Sequence, residues 1–203
     1  MEEKEITIAA AELFLKYGIK SITMDELSRQ LGISKKTIYR YFKDKNELVE
    51  KTLFGFISQK QATIDEIIYK DKNAVEGLFS LYNYANNIIR EYNPAMEFDL
   101  QKYFPKIYRS IREMHRTQIY DAILENLVKG KKEGLYRKDI DVSIIAKLFV
   151  MRVENIMHHD MVTTEELHSK KFFKEVFKYH LYGVLSAEGL EIVKSKYPEF
   201  IKK

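Results

Sequence analysis

Residues 23–48 read TMDELSRQLGISKKTIYRYFKDKNEL, and this stretch decides the fold of the N-terminal region. It opens with a capping box, in which Thr23 and the glutamate three residues later satisfy free amides at a helix start. Gly32 ends this first short helix, because glycine adopts the left-handed conformation without a Cβ clash. Ser34 then caps a second helix. Two short helices joined by a tight, glycine-containing turn predict a helix-turn-helix motif.

The second helix of the motif carries the net positive charge of the whole chain. The formal net charge is +4, and residues 34–45 hold five lysine or arginine residues against one aspartate, so the remainder sums to zero. A basic block taken alone is most often a solvated surface. In a helix-turn-helix, however, the second helix enters the major groove of DNA. The position of the charge therefore indicates a contact with phosphates and bases.

The composition predicts an all-α protein. Apolar residues make up 45% of the 203 residues and charged residues 32%, which is ordinary for a globular chain. Only 3 prolines and 8 glycines punctuate it, too few for a fold of many short strands. The absence of cysteine excludes disulfides, thiolate metal sites and cysteine nucleophiles. No signal peptide or long apolar span is recognisable, so we expect a cytoplasmic protein.

Residues 10–14 (AAELF) and Tyr17-Gly18, followed by residues 23–48 without a gap, resemble the DNA-binding signature of the TetR family of transcriptional regulators. The resemblance implies that three N-terminal helices bind double-stranded operator DNA. It also implies that the rest of the chain is helical and serves effector binding and dimerisation. We therefore expect a helix-turn-helix DNA-binding domain over residues 1–48, with the motif at about 23–42, and a larger helical domain over 49–203. About nine or ten helices are expected in total.

The resemblance assigns DNA contacts to a set of hydroxyl and ammonium groups: Thr23, Ser34, Lys35, Lys36, Thr37, Tyr39, Tyr41 and Lys45. The first and last of these would hold phosphates, the residues at positions 35–37 would face base edges, and the two tyrosines would contact backbone or bases. Taken singly, such lysines are more often solvated charges and such tyrosines packing residues. Their occurrence together on one helix-turn-helix favours DNA binding.

Two later segments contain more apolar residues than one buried stripe needs. In residues 142–157, 11 of 16 residues are apolar, and the segment from 163 to 185 is similarly rich. The excess predicts burial on two sides, by the chain itself and by a second copy in a two-fold, four-helix interface. The alternative is that both are central core helices of a monomer. We assign the homodimer interface to Ile145, Phe149, Phe173, Phe177, Leu181 and Val184.

No catalytic or metal-binding pattern is recognisable in the sequence. Residues 158–160 read His-His-Asp, but no histidine lies four residues from another, so we expect no metal and no cofactor. The sequence predicts a dimeric regulator, a repressor released from its operator by a small molecule whose pocket residues are unknown. Two alternatives stay open: a DNA-anchored protein-interaction module without a small-molecule ligand, and a small all-helical enzyme.

Overall fold

The structure, a computed structural model, describes residues 2–69, 73–90, 93–158, 162–167 and 169–201, and it is all-α as predicted. The helices are α1 (Glu3–Tyr17), α2 (Met24–Leu31), α3 (Lys35–Tyr39), α4 (Lys45–Tyr69), α5 (Ala74–Arg90), α6 (Pro94–Tyr103), α7 (Pro105–Lys132), α8 (Val142–His158), α9 (Thr164–Leu167), α10 (Lys170–Val184) and α11 (Ala187–Lys196). A 3-10 turn follows at Pro198–Phe200. One isolated β-bridge joins Tyr136 to Leu185.

The chain divides into two compact units, each with its own apolar core. The first unit comprises Met1–Ala62 with Glu91–His115, and the second comprises Thr63–Arg90 with Arg116–Lys203. The division falls within α4 and within α7. The predicted limit of the DNA-binding domain at residue 48 stays a prediction, because compactness alone groups part of α4, α6 and part of α7 with the first three helices.

The core of the first unit is built from the apolar faces of α1 to α4, α6 and α7. Ile6, Phe14, Leu27, Ile38 and Phe42 are fully buried in it. At about 0.8 kcal/mol for each buried methylene, residues of this size hold three short helices together although none of the three is long enough to be stable alone. This packing fixes which face of α3 points outward.

The second unit is built around an aromatic cluster. The rings of Phe79 and Tyr197 stack with their centroids 3.6 Å apart, and Phe177 and Phe200 meet the Phe79 ring edge-on. Tyr136 is also fully buried, and its hydroxyl lies 2.8 Å from Asn126 Oδ1. Burial raises the pKa of Tyr136, so this phenol stays protonated.

Of two helix ends predicted from residue type alone, one is confirmed and one needs correction. Gly130 and Gly134 predict that α7 stops near them, and the helix ends at Lys132, between the two. The ring of Tyr136 occupies the space where a Cβ on Gly130 would lie. Gly134, with a φ of 73°, is the glycine at the turn that follows. The capping box at Thr163 predicts the start of one long helix, but it opens only the single turn of α9, and Ser169 caps α10 separately.

Candidate nucleic-acid interface

The helix-turn-helix forms through caps that the sequence specifies. Thr23 Oγ1 accepts a hydrogen bond of 3.0 Å from the backbone N–H of Glu26 and so begins α2. Gly32 adopts the left-handed conformation, with a φ of 62° and a ψ of 28°, and ends it. Ser34 Oγ accepts from the N–H of Thr37 at 3.1 Å and begins α3. These local contacts set the angle of the turn and thereby the direction of α3.

Helix α3 is anchored by one apolar side chain and exposes its polar ones. Ile38 is fully buried, whereas Lys35 and Lys36 are exposed at the leading end of the helix. Tyr39, at the rear, keeps 48% of its surface accessible. The basic helix thus lies on the surface with its N-terminal residues outward, which is the arrangement needed to enter a major groove.

Two basic groups of the block, Arg40 and Lys35, have polar neighbours of their own. Arg40 Nη2 donates to Tyr41 Oη at 2.7 Å, and the guanidinium carbon lies 4.8 Å from the centre of the same ring. Lys35 forms an ion pair with Asp25 on α2, but both side chains are largely exposed. A surface pair of this kind contributes at most about 1 kcal/mol, so a phosphate can displace the aspartate.

Lys45, at the start of α4, braces the loop between α1 and α2. Its Nζ donates to the carbonyl oxygen of Ile19 at 2.6 Å and to that of Lys20 at 3.3 Å. Partial burial lowers the pKa of Lys45, although the carboxylate of Asp99 acts in the opposite direction. The ammonium has three N–H groups, and the two carbonyls use two of them.

Asp99 on α6 holds the same loop from the other side. Its buried Oδ2 accepts from the backbone N–H of Lys20 at 2.7 Å. The ammonium of Lys20 donates to Tyr103 Oη at 2.7 Å, which joins α6 to the loop a second time. Asp99 and Lys20 are 79 residues apart, and no spacing rule in the sequence predicts a contact between them.

All eight predicted DNA-contact residues lie in the first unit, in α3, at the start of α4 or in the turns next to α2 and α3. Those that cap helices, Thr23 and Ser34, have their hydroxyls engaged in backbone hydrogen bonds. Thr37 is half-buried, with its Oγ1 2.9 Å from Ser34 Oγ. Tyr41 is half-buried as well. The contacts with DNA themselves stay predictions.

A second surface feature lies on α8 and α10 in the other unit. Five large apolar residues of these two helices are 43–79% exposed: Ile144, Leu148, Met151, Tyr179 and Tyr182. The three on α8 follow each other at steps of four and three residues and therefore share one face. The apolar excess predicted for these helices is thus present, with one stripe buried and another in solvent.

The particular interface residues expected from the sequence are placed differently. Phe177, Leu181 and Val184 are buried in the core of the unit itself, with 6% of their surface exposed at most. Ile145 and Phe149 are half-buried against the same core. Phe173 is half-buried too, with its ring 5.6 Å from that of Phe172. Three of the six expected residues therefore lie in the core of the unit and three are half-buried, and the assignment of the interface to these six residues stays a prediction.

Neither a metal cluster nor a membrane span occurs in the described residues. Within the ranges that the structure describes, no group of three or more histidine, cysteine, aspartate or glutamate side chains could hold a metal ion. The side chains of the His-His-Asp sequence at residues 158–160 lie outside the described part. Among the helices of the described part, none is long and apolar enough to cross a membrane.

Comparison with known proteins agrees with the geometry of the first unit. Residues 6–52 match the model of the bacterial regulatory proteins of the tetR family. Over 144 residues the chain is 24% identical to the HTH-type transcriptional repressor KstR2 of Mycobacterium tuberculosis. The alignment covers 70% of this chain and 72% of that protein.

Solved structures of regulators share the fold over nearly the whole chain. A transcriptional regulator from Cytophaga hutchinsonii has a TM-score of 0.74 at 16% identity, covering 90% of this chain and 98% of that one. SmeT, the repressor of a multidrug efflux pump of Stenotrophomonas maltophilia, has a TM-score of 0.65 at 15% identity and covers 92% of each chain. With the capped helix-turn-helix and its exposed basic helix, these findings show that residues 6–52 match the DNA-binding domain of the TetR family of bacterial transcriptional regulators and that the chain shares the fold of such regulators.

Proposed function

We propose that the protein is a dimeric repressor that binds operator DNA through α3 and leaves it when a small molecule binds the second unit. The observation that carries the proposal is the exposure of the basic helix: Lys35 and Lys36 lie outward while Ile38 anchors the helix from behind. All of the net charge of the chain lies in and next to this helix. Such a protein acts where the chromosome is, in the cytoplasm.

The proposed DNA contacts follow from the position of each side chain and from the hydrogen-bond donors that it does not use within the protein. The side chains of Lys36 and Thr37 lie in the first turn of α3, whose residues meet base edges in a helix-turn-helix. Lys45 has one N–H beyond its two carbonyl acceptors, and it lies in the first turn of α4, where free amides favour an anion. We assign Lys36 and Thr37 to base recognition and Lys45 to a phosphate.

Dimerisation is supported by the exposed apolar face of α8 and α10. Leu148 and Met151 expose 54% and 57% of their surface, and Tyr179 exposes 79%. A second copy that brings the same face buries all of these at once, which is the isologous arrangement of a two-fold dimer. Two recognition helices are then available for two half-sites.

The small-molecule response rests on the family and on its named members. The M. tuberculosis structure is that of a ketosteroid transcriptional regulator, and SmeT represses a multidrug efflux pump. The effector of this chain favours the protein geometry that does not fit DNA and so lowers the affinity for DNA. Because the two binding equilibria are linked, DNA lowers the affinity for the effector by the same factor. An effector is first found by a screen for compounds that raise the melting temperature. DNA is then titrated with and without effector, and effector with and without DNA, and the two affinities should change by equal factors.

The DNA-binding proposal is tested by selecting binding sequences from random duplexes and then measuring affinity against salt. We expect Lys45→Ala to weaken matched and scrambled duplexes alike and to reduce the slope of log K against log salt by about 1. Lys36→Ala and Thr37→Ala should instead reduce the preference for the selected sequence, by about 1–3 kcal/mol for each base that is no longer recognised.

Lys132→Ala is the matched control, because it removes one exposed lysine from the second unit and leaves α3 and α4 unchanged. It should retain both the affinity and the salt slope of the unaltered protein. If no duplex is bound at low ionic strength, the DNA-binding proposal is wrong. If Lys36→Ala and Lys45→Ala behave identically on matched and scrambled duplexes, the division between base and phosphate contacts is wrong.

A further inference from the structure

A groove of about 960 Å³ opens on the surface of the second unit between α8 and α10. Its walls are largely apolar and aromatic, with Leu148, Phe149 and Tyr179 among them. Among its lining side chains, Arg152, Glu175, Lys178 and His180 are ionisable and have no role in the repressor proposal. The groove is continuous with the exposed apolar face on which the proposed dimer rests.

Arg152 brings a positive charge into this groove, and no acidic side chain in the described part of the chain pairs with it. Its Nε is buried and has no hydrogen-bond partner in the described part of the chain. The guanidinium carbon lies 5.1 Å from the centre of the Phe149 ring. Arginine stays protonated in proteins, so burial here costs free energy unless a carboxylate arrives from outside the chain.

His180 does not supply the missing charge. It is 6% exposed, its ring lies edge-on to Phe149 at 4.7 Å, and its Nε2 is unpartnered among the described residues. Burial and the neighbouring Arg152 lower its pKa to about 3, so the imidazole is neutral. Among the described residues that line the groove, Lys178 is paired with Glu175 of its own helix, so Arg152 is the cation left without an acid, and His180 Nε2 is a second unsatisfied polar atom.

A two-fold axis restricts which anion can reach Arg152. In an isologous interface the same patch of each copy faces the other, so the carboxylate must come from the patch that holds the groove. Among the described residues that line it, Glu175 is the one carboxylate. Its side chain is 59% exposed, and only its Oε1 is engaged, at 3.2 Å from Lys178 Nζ.

We infer that the groove is closed by a second copy of this chain and that Arg152 of each subunit pairs with Glu175 of the partner subunit. The inference rests on the proposed dimer. It adds that the charge of Arg152 favours a partner with a carboxylate at the matching position. Two such pairs occur per dimer, one for each groove. An apolar face alone accepts many partners, whereas a half-buried cation with an unpartnered Nε disfavours any partner that lacks an acid at the matching place.

Charge reversal tests the pairing, with the dimer dissociation constant measured by sedimentation equilibrium. We expect Glu175→Arg and Arg152→Glu each to weaken dimerisation by about tenfold or more, because like charges then face each other. The double variant Arg152→Glu/Glu175→Arg should recover most of the loss, since it restores an opposite pair across the interface. Circular dichroism and melting temperature monitor folding of every variant.

Glu191→Arg is the matched control. Glu191 on α11 also pairs with a lysine three residues on, Lys194, and its side chain is 69% exposed, but it does not line the groove. It should leave the dissociation constant unchanged. If Arg152→Glu does not fold, the neutral pair Arg152→Gln and Glu175→Gln supplies the same test as a double-mutant cycle, in which the two losses should not add.

Each outcome decides a separate question. Recovery in the double variant, or non-additive losses in the neutral cycle, supports the Arg152–Glu175 pair. A dimeric protein in which the losses add, or in which the single variants change nothing, overturns the pair. A protein that is monomeric at every concentration overturns the dimer itself.

Discussion

The helix-turn-helix of α2 and α3 and the helix pair of α8 and α10 expose different chemistry for different reasons. In α3 one apolar residue, Ile38, is buried and its neighbours are polar, so only one orientation of the helix is possible. In α8 apolar residues occur on both sides, with Val150 5% exposed and Leu148 54% exposed. A surface suited to a polyanion can be predicted from the polarity of its residues. A surface suited to self-association cannot, because its apolar residues resemble those of the core.

The two regions also differ in how their helices begin and end. Thr23, Gly32 and Ser34 each form the contact that their residue type predicts. The segment before α10 contains two capping residues, Thr163 and Ser169, and the structure uses both, so that one expected helix becomes α9 and α10. Local signals specify helix ends well where one cap occurs, and poorly where two compete.

The largest expected effect separates the buried stripe from the exposed one. Leu181→Ala on α10 should lower the free energy of unfolding by about 2–5 kcal/mol, because Leu181 is fully buried and its truncation leaves a cavity. Leu148→Ala on α8 should cost the folded subunit less than about 0.5 kcal/mol, since half of the side chain is in solvent, yet it should weaken self-association. Urea unfolding at several protein concentrations distinguishes the two effects.

Equal unfolding losses for these two leucine variants would contradict the assignment of one stripe to the core and the other to the interface. The comparison is matched, because both changes remove the same atoms from helices of the same unit. A loss for Leu148→Ala that disappears on dilution below the dimer dissociation constant would confirm that it arises from association.

An intermediate effect is expected from acid, and it should arise in the second unit. His180 is neutral in the folded protein because burial and Arg152 lower its pKa to about 3, while the unfolded chain takes up a proton near pH 6.5. The free energy of unfolding therefore keeps its full value with respect to His180 above pH 6.5. It decreases as the pH falls from 6.5 towards 3, by at most about 1.4 kcal/mol per pH unit.

Replacement of the buried histidine isolates this effect. His180→Leu should flatten the pH dependence of the unfolding free energy between pH 6.5 and 5, before most carboxylates protonate. His115→Gln, at an exposed position in the first unit, is the control and should leave that dependence unchanged. An unaltered slope in His180→Leu would show that the proton is taken up elsewhere.

The smallest expected effect concerns the turn of the helix-turn-helix. Gly32→Ala should destabilise the first unit by about 1–2 kcal/mol, because its φ of 62° is unfavourable for a residue with a Cβ. Gly55→Ala, in the interior of α4, should instead stabilise by up to about 1 kcal/mol, because no described side chain or other segment lies within 4 Å of the added Cβ. Opposite signs in thermal unfolding confirm that backbone conformation, and not added volume, is the cause.

Much of the first unit could be predicted because its determinants lie within a few residues of each other. The bounds of α4, Lys45–Tyr69, follow from the Asp44 cap, whose Oδ1 accepts from Glu47 N at 2.9 Å, and from the long periodic stretch after it. By contrast, the bracing of Lys45 and the contact of Asp99 with the loop join residues 26 and 79 positions apart. Residue spacing carries no information on such distant contacts.

The amino-acid sequence by itself determined the helical class, the helix-turn-helix with its caps and turn, and the helix on which the net charge lies. These depend on backbone conformation and hydrogen bonds between neighbours, which residue type controls directly. Only the tertiary structure decided which apolar stripe of α8 and α10 is buried, and that Arg152 lies in a groove beside Glu175 and His180. Burial depends on which surfaces pack together, and either stripe satisfies the same helical period.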